Sequence, residues 1–183
     1  MIAVRFTAQD LKNFPEDGKR REVIQGELIV SPAPNTRHQL ILKNLARLVD
    51  AFILGFPHGQ RPGQTFFVPT DVTLEDEGVQ PDFLFVSQDR YSLITEQEIT
   101  GPPDWIVEVI SPSSRTYDLE TKRKLYQRAG VIAYWVIDPE LEQVHTWDWQ
   151  TNTSSLAKVG QTLEVSVLVG FKLEVAAVFE SLT

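Results

Sequence analysis

Residues 105–110 read WIVEVI and residues 133–138 read AYWVID. Each is a short, almost continuously apolar run rich in β-branched and aromatic residues. That composition fits a strand buried on both faces. After the first run, Ser111, Pro112, Ser113 and Ser114 break the strand. Thr116 to Ala129 then carries its apolar residues at helical spacing, and Gly130 follows as a C-terminal cap. A buried strand, a helix and a second buried strand therefore form the centre of the fold.

Upstream, Pro81 to Val86 is another apolar run, and residues 64–74 alternate loosely like a strand. Residues 21–24 and 27–31 predict two strands joined at Gln25-Gly26 as a hairpin. Pro32 and Pro34 end the second of these, and Asn35 or Thr36 caps a helix running to about Leu54. That helix carries Ile41, Leu42, Leu45, Leu48, Val49 and Phe52 on one face. Thr7 to Asn13 predicts a short helix capped by Thr7. Downstream, QVHTWDW, TLEVSVL and FKLEV read as further short strands. The order predicts an α+β fold, a mixed sheet flanked by helices.

The chain has 183 residues, 42% hydrophobic and 23% charged, which predicts one domain over 1–183. It has no cysteine, so disulfides, thiolate zinc sites and cysteine nucleophiles are excluded. No apolar run reaches the roughly 18 residues needed to cross a bilayer. The start, MIAVRFTAQDLKNF, lacks the apolar segment of a secretory signal. The expectation is a soluble cytoplasmic protein.

Net charge is −8, which taken alone argues against a nucleic-acid partner. The charge is unevenly placed, however. Residues 1–70 hold 9 Lys+Arg against 6 Asp+Glu, and residues 71–183 hold 8 against 19. Within the acidic part, Arg115, Lys122, Arg123, Lys124 and Arg128 form a basic stretch that is expected to face phosphate. Asp71, Glu75, Asp76 and Glu77 read as a solvated acidic loop.

Three residues stand out against their apolar surroundings. Glu108 lies in the middle of WIVEVI, where an unpaired carboxylate is costly. It needs a cation, a metal ion or a proton, or else a strand end that reaches water. Asp82 opens the PDFLFV run in the same way, and also suits a turn after Pro81. Lys122 falls, at about 100° per residue, inside the arc formed by Leu119, Leu125, Tyr126 and Ala129. A lysine on a packing face snorkels outward or pairs with a buried acid. Asp118, one turn earlier, is the local partner, and Glu108 the distant one. Together, two acids on buried strands and a lysine on the next helix predict a divalent-metal site with a cation beside it. Hard oxygen ligands favour Mg²⁺ or Mn²⁺. Such an ion activates water and stabilises charge on phosphate, and the lysine orients that water.

GVQPDFLFVS and PPDWIVEVISPSSRTYDLETKRKLYQRAGVIAYWVIDP resemble the Uma-type family of restriction-endonuclease-like proteins, within the PD-(D/E)XK nuclease superfamily. The resemblance extends to REVIQGELIVSPAPNTRH and VLVGFKLEVAAVF, nearly the whole chain. It implies a restriction-endonuclease-like core, with a central mixed β-sheet flanked by helices and an added antiparallel portion. It implies that Asp82 and Glu108 bind the metal. The superfamily's lysine, usually two residues after the second acid, is replaced here by Ile110, so Lys122 would serve as a migrated lysine. Glu22 would be an extra acid before the core, with Glu27 across the hairpin as the alternative. The family carries an acid before its Tyr-Trp pair, where this chain has Ala133.

The implied function is Mg²⁺-dependent hydrolysis of DNA phosphodiesters, with a homodimer as the implied assembly. A non-catalytic nucleic-acid-binding or assembly protein keeping the nuclease fold is the alternative, and a hydrolase of small phosphates a third. His38 shares the face of Ile41 and Leu45 and reads as a helix-start histidine with a local hydrogen bond, in preference to a site residue. His58 and His145 read as structural or exposed. Trp147 and Trp149 read as a packing or dimer face.

Overall fold

A computed structural model of the chain describes residues 4–15, 17–111 and 114–181. Pro112 and Ser113, half of the expected strand break, lie outside the described residues. In chain order the elements are α1 (Ala8–Leu11), β1 (Arg20–Ile24), β2 (Glu27–Ser31), α2 (Thr36–Leu54), β3 (Gly63–Phe67), β4 (Val72–Leu74), β5 (Glu77–Val79) and β6 (Phe83–Ser87). There follow β7 (Ile99–Thr100), β8 (Trp105–Val109), α3 (Arg123–Ala129), β9 (Ala133–Asp138), β10 (Gln143–Asp148), β11 (Thr153–Lys158), β12 (Thr162–Leu163), β13 (Leu173–Glu174) and α4 (Val175–Phe179).

The central sheet has six strands in the order β11-β10-β9-β8-β6-β3. The β8–β9 pair is parallel and the others are antiparallel, so the sheet is mixed. A parallel pair needs a crossover, and α3 lies within it. Side chains alternate across the sheet. Phe83, Phe85, Trp105, Val107, Val109, Trp135 and Ile137 pack against Ile41, Leu45 and Val49 of α2 and Val178 of α4. Leu84, Val86, Ile106, Tyr134 and Val136 face the other way, against Leu125 and Tyr126 of α3. Both faces of β6, β8 and β9 are covered, which explains why their sequences read as unbroken apolar runs.

The second sheet, β2-β1-β5-β4-β7, is the added portion, antiparallel except at β4–β7. It packs Ile24, Val72, Leu74 and Val79 into the same core as α3. Its β1–β2 hairpin turns at Gln25 and Gly26, both at positive φ (55° and 81°), as a two-residue hairpin loop requires.

Four local expectations need correction. The stretch 64–74 is not one strand: β3 and β4 belong to different sheets, parted around Pro69. The helix expected from Thr116 is helical from Arg115, passes through a π-helical turn over Tyr117–Lys122 and is α-helical again from Arg123. QVHTWDW forms β10 as expected, but of TLEVSVL and FKLEV only Thr162–Leu163 and Leu173–Glu174 pair as strands, and Val175–Phe179 is helical, with Val175 and Val178 packed into the core. Glu77 is not in a solvated loop. It sits in β5 and accepts hydrogen bonds from Arg128 and from the Gln25 N–H. Trp147 and Trp149 are half-buried and stack on Tyr134, with centroids 5.7 and 6.5 Å away. Among the described residues, no helix is long and apolar enough to cross a membrane.

Candidate functional site

Strand β8 is buried along its whole length, and alternation turns Glu108 to the same side as Ile106, toward α3 and the second sheet. Asp82 lies immediately before β6, the strand beside β8. Both acids are 2% exposed, so neither the water-reaching strand end nor the solvated turn describes them. The π-helical turn carries Lys122 and Asp118 inward, and both are buried. A π turn inside a helix shifts the side chains that follow and is frequent at functional sites.

Lys122 Nζ donates to Glu108 Oε1 and to Glu22 Oε1, at 2.9 Å each. Asp118, the local partner, is 3.9 Å away. The distant pairing therefore prevails: Lys122 Nζ is within hydrogen-bond distance of Glu108 and Glu22, and Asp118 lies about 1 Å beyond them. Glu22 also accepts from the Gln80 N–H. Glu27, the alternative across the hairpin, is exposed. Tyr126 donates its hydroxyl to Glu108 Oε1 at 2.9 Å.

Two further residues enter the cluster. Arg20 is two positions before Glu22 on β1, and therefore on the same side of the strand. It donates through Nη1 to Asp82 Oδ1 at 2.7 Å, and through Nη2 to Glu108 Oε2 at 3.3 Å and Glu22 Oε1 at 3.4 Å. That i, i+2 spacing was the available signal for Arg20, and sequence reasoning missed it. His38 is the other. Its backbone N–H bonds the Asn35 cap, as expected of a helix start. Its ring, however, is buried and donates from Nε2 to Asp82 Oδ2 at 3.0 Å. The helix-start reading is therefore incomplete, since the first turn of α2 aims this ring at Asp82. The Val109 N–H also donates to Asp82 Oδ2, at 2.8 Å.

These groups line a cavity of about 950 Å³ walled by β1, β2, the start of α2, the end of β8 and the π turn. The basic stretch from Arg115 to Arg128 does not form a continuous basic face. Arg115 pairs with Asp138, Arg128 pairs with Glu77, and the Arg123 guanidinium lies over the Trp147 ring.

The cluster holds four buried acids, Glu22, Asp82, Glu108 and Asp118, against two permanent cations, Arg20 and Lys122. Burial pushes Glu108 up to about 7: Lys122 opposes the rise, and neighbouring Asp82 adds to it. Burial likewise raises Asp118 to about 6, against the pull of Lys122. Burial also acts to raise Asp82, but the His38 hydrogen bond and the Arg20 charge outweigh it and hold Asp82 below the ordinary carboxylate range. Glu22 is lowered for the same kind of reason: burial is overcome by Lys122 and Arg20. Burial would lower His38, yet its bond to Asp82 raises it. Two carboxylates held ionised beside two held partly protonated is the pattern of a site short of positive charge.

Asp82 Oδ1 and Glu108 Oε2 are the oxygens left after His38, Val109, Lys122 and Tyr126 have engaged the other two, and the one donor they meet among the described residues is Arg20. Among the described residues no group of three or more His, Cys, Asp or Glu forms a ready metal cage. Mg²⁺ keeps several waters and takes one or two carboxylates, so a two-carboxylate set of hard oxygens fits it.

A mixed sheet flanked by helices, with this antiparallel addition, is a restriction-endonuclease-like fold. The chain belongs to the Uma2 family, described as a putative restriction endonuclease, which it matches over residues 8–176. The fold is similar to the crystal structure of a putative nuclease belonging to DUF820 from Anabaena variabilis ATCC 29413. The TM-score is 0.80 at 21% identity, covering 95% of this chain and 97% of that one. No curated protein matches the sequence.

Proposed function

We propose that residues 1–183 form one restriction-endonuclease-like domain that hydrolyses DNA phosphodiester bonds with Mg²⁺ or Mn²⁺, working in the cytoplasm. The observation that carries this reading is the convergence of Asp82, Glu108 and Lys122 in one buried cluster lining a cavity. Asp82 and Glu108 would hold the cation. When bound, that ion supplies a Lewis acid for the scissile phosphate and a more acidic water. Asp82 is kept ionised and oriented by His38 and the Val109 N–H. Lys122 is held by Glu22 and Glu108, 3% exposed, so its ammonium is fixed in direction. From there it orients the attacking water and offsets charge developing on the phosphate. Glu22 acts through Lys122, as its anchor.

Asp82→Ala is expected to abolish Mg²⁺- or Mn²⁺-dependent cleavage of supercoiled plasmid. An unchanged rate would overturn the assignment. The non-catalytic alternative draws on the net charge of −8 and on the ion pairs already satisfying the acids. It would be favoured by salt-dependent DNA affinity without cleavage in either metal. The family resemblance also implies a homodimer, presenting two cavities to the two strands of a duplex. Light scattering after size exclusion would remove that part of the proposal by returning a 20.8 kDa species alone.

A further inference from the structure

We infer that Arg20 occupies the cation position between Asp82 and Glu108 and must be displaced for a divalent metal to bind. The inference rests on the reading that these two acids hold the metal. Three features of the cluster lead to it. First, the Arg20 guanidinium spans Asp82 Oδ1 and Glu108 Oε2, the two oxygens not engaged by other donors. An ion bound to both at the usual Mg²⁺–oxygen distance of about 2.0–2.1 Å would need the space the guanidinium fills. Second, Arg20 is the loosely held cation of the pair. Its side chain is 21% exposed, only its bond to Asp82 is short at 2.7 Å while those to Glu22 and Glu108 are long at 3.4 and 3.3 Å, and its Nε has no partner among the described residues. Lys122 is 3% exposed and makes two bonds of 2.9 Å. A charge leaving the cluster therefore leaves through Arg20, which lines the cavity. Third, four acids face two permanent cations, so exchanging a single positive charge for a double one relieves the deficit.

The exchange also distinguishes the roles of the two basic residues. Lys122 stays with Glu22 and Glu108 in both states, whereas Arg20 alternates between the acids and the cavity.

Mn²⁺ alone is the probe, with calorimetry on the full chain and on Arg20→Gln, which keeps a polar side chain but removes the charge. Arg20→Gln is expected to bind Mn²⁺ at least tenfold more tightly than the wild type at pH 8. Binding by the variant where the wild type shows none would support the same conclusion more strongly. Equal affinity in the two would overturn the displacement of Arg20 while leaving the metal reading intact. No binding by either would overturn the metal reading, and this inference with it. A second readout uses the wild-type chain and so does not depend on the variant folding. Phenylglyoxal labelling of Arg20, followed by peptide mass spectrometry, should rise several-fold on adding Mn²⁺. Arg21, paired with Asp17, serves as the unchanged reference. Labelling of Arg20 that is indifferent to Mn²⁺ concentrations shown to bind would refute the displacement.

Discussion

Replacing Lys122 with Met removes an ammonium from between buried acids while keeping much of the side-chain volume. Two charge-assisted bonds of 2.9 Å are lost, to Glu22 and Glu108, at a position 3% exposed. Removing one partner from a buried pair costs about 3–5 kcal/mol, most of it the penalty of leaving the other charge uncompensated. That penalty has a ceiling, because the orphaned acids can take up protons instead. Glu108 already stands near 7 with the lysine present. Without it both Glu108 and Glu22 move higher. In the variant these acids hold protons in the folded state that the unfolded chain has released, so stability falls as pH rises through that window. Each such proton is worth up to about 1.4 kcal/mol per pH unit. The cost of Lys122→Met is therefore expected to be about 3–5 kcal/mol at pH 8 and smaller by at least ~1.4 kcal/mol at pH 5. Urea unfolding followed by tryptophan fluorescence at the two pH values measures both. Adding Glu22→Gln to the variant should return about 1 kcal/mol or more at pH 8, since it removes one of the stranded charges. A cost below about 1 kcal/mol at pH 8 would refute the reasoning, as would a cost that does not shrink at pH 5.

Two further outcomes follow from the same geometry. Glu108 holds a proton below about 7, and a divalent cation needs its carboxylate form, so Mn²⁺ affinity should climb by up to tenfold per pH unit from about 5.5 to 7 and then level off. Calorimetry in buffers of different ionisation enthalpy should detect proton release at the low end, and a flat affinity with no proton release would contradict it. In the fold, Gly63→Ala would set a Cβ 2.3 Å from the Val86 carbonyl oxygen and 2.5 Å from the Phe85 ring. The expected loss is about 1–3 kcal/mol, read as a lower melting temperature, and an unchanged Tm would contradict the close approach of β3 to β6.

Much of the architecture is legible in the order of residues, because burial imprints itself on short stretches of sequence. WIVEVI and AYWVID are covered on both faces and read as unbroken apolar runs. The Gln25-Gly26 turn needs positive φ twice in succession, and Gly26 is the residue that signals it. Strand β11 was missed because it is an edge strand, TSSLAK, mostly exposed and held by backbone pairing to β10. With no apolar period to display, it has no signature of its own. The division of 64–74 between two sheets was equally hidden, since alternation says that a residue is covered and not by which layer.

In the cluster, the sequence by itself set Asp82, Glu108 and Lys122 among apolar neighbours, so that each needed either a route to water or a buried partner; the tertiary structure closed the route to water. Only the tertiary structure decided the partners. Asp82 meets Arg20 from 62 residues away, Glu108 meets Arg20 from 88, and Glu22 meets Lys122 from 100. It also turned His38 from a helix-start residue into the donor that orients Asp82. The physical reason is that burial acts along a strand or helix and leaves a period, whereas charge pairing acts through space between elements that the chain order does not bring together.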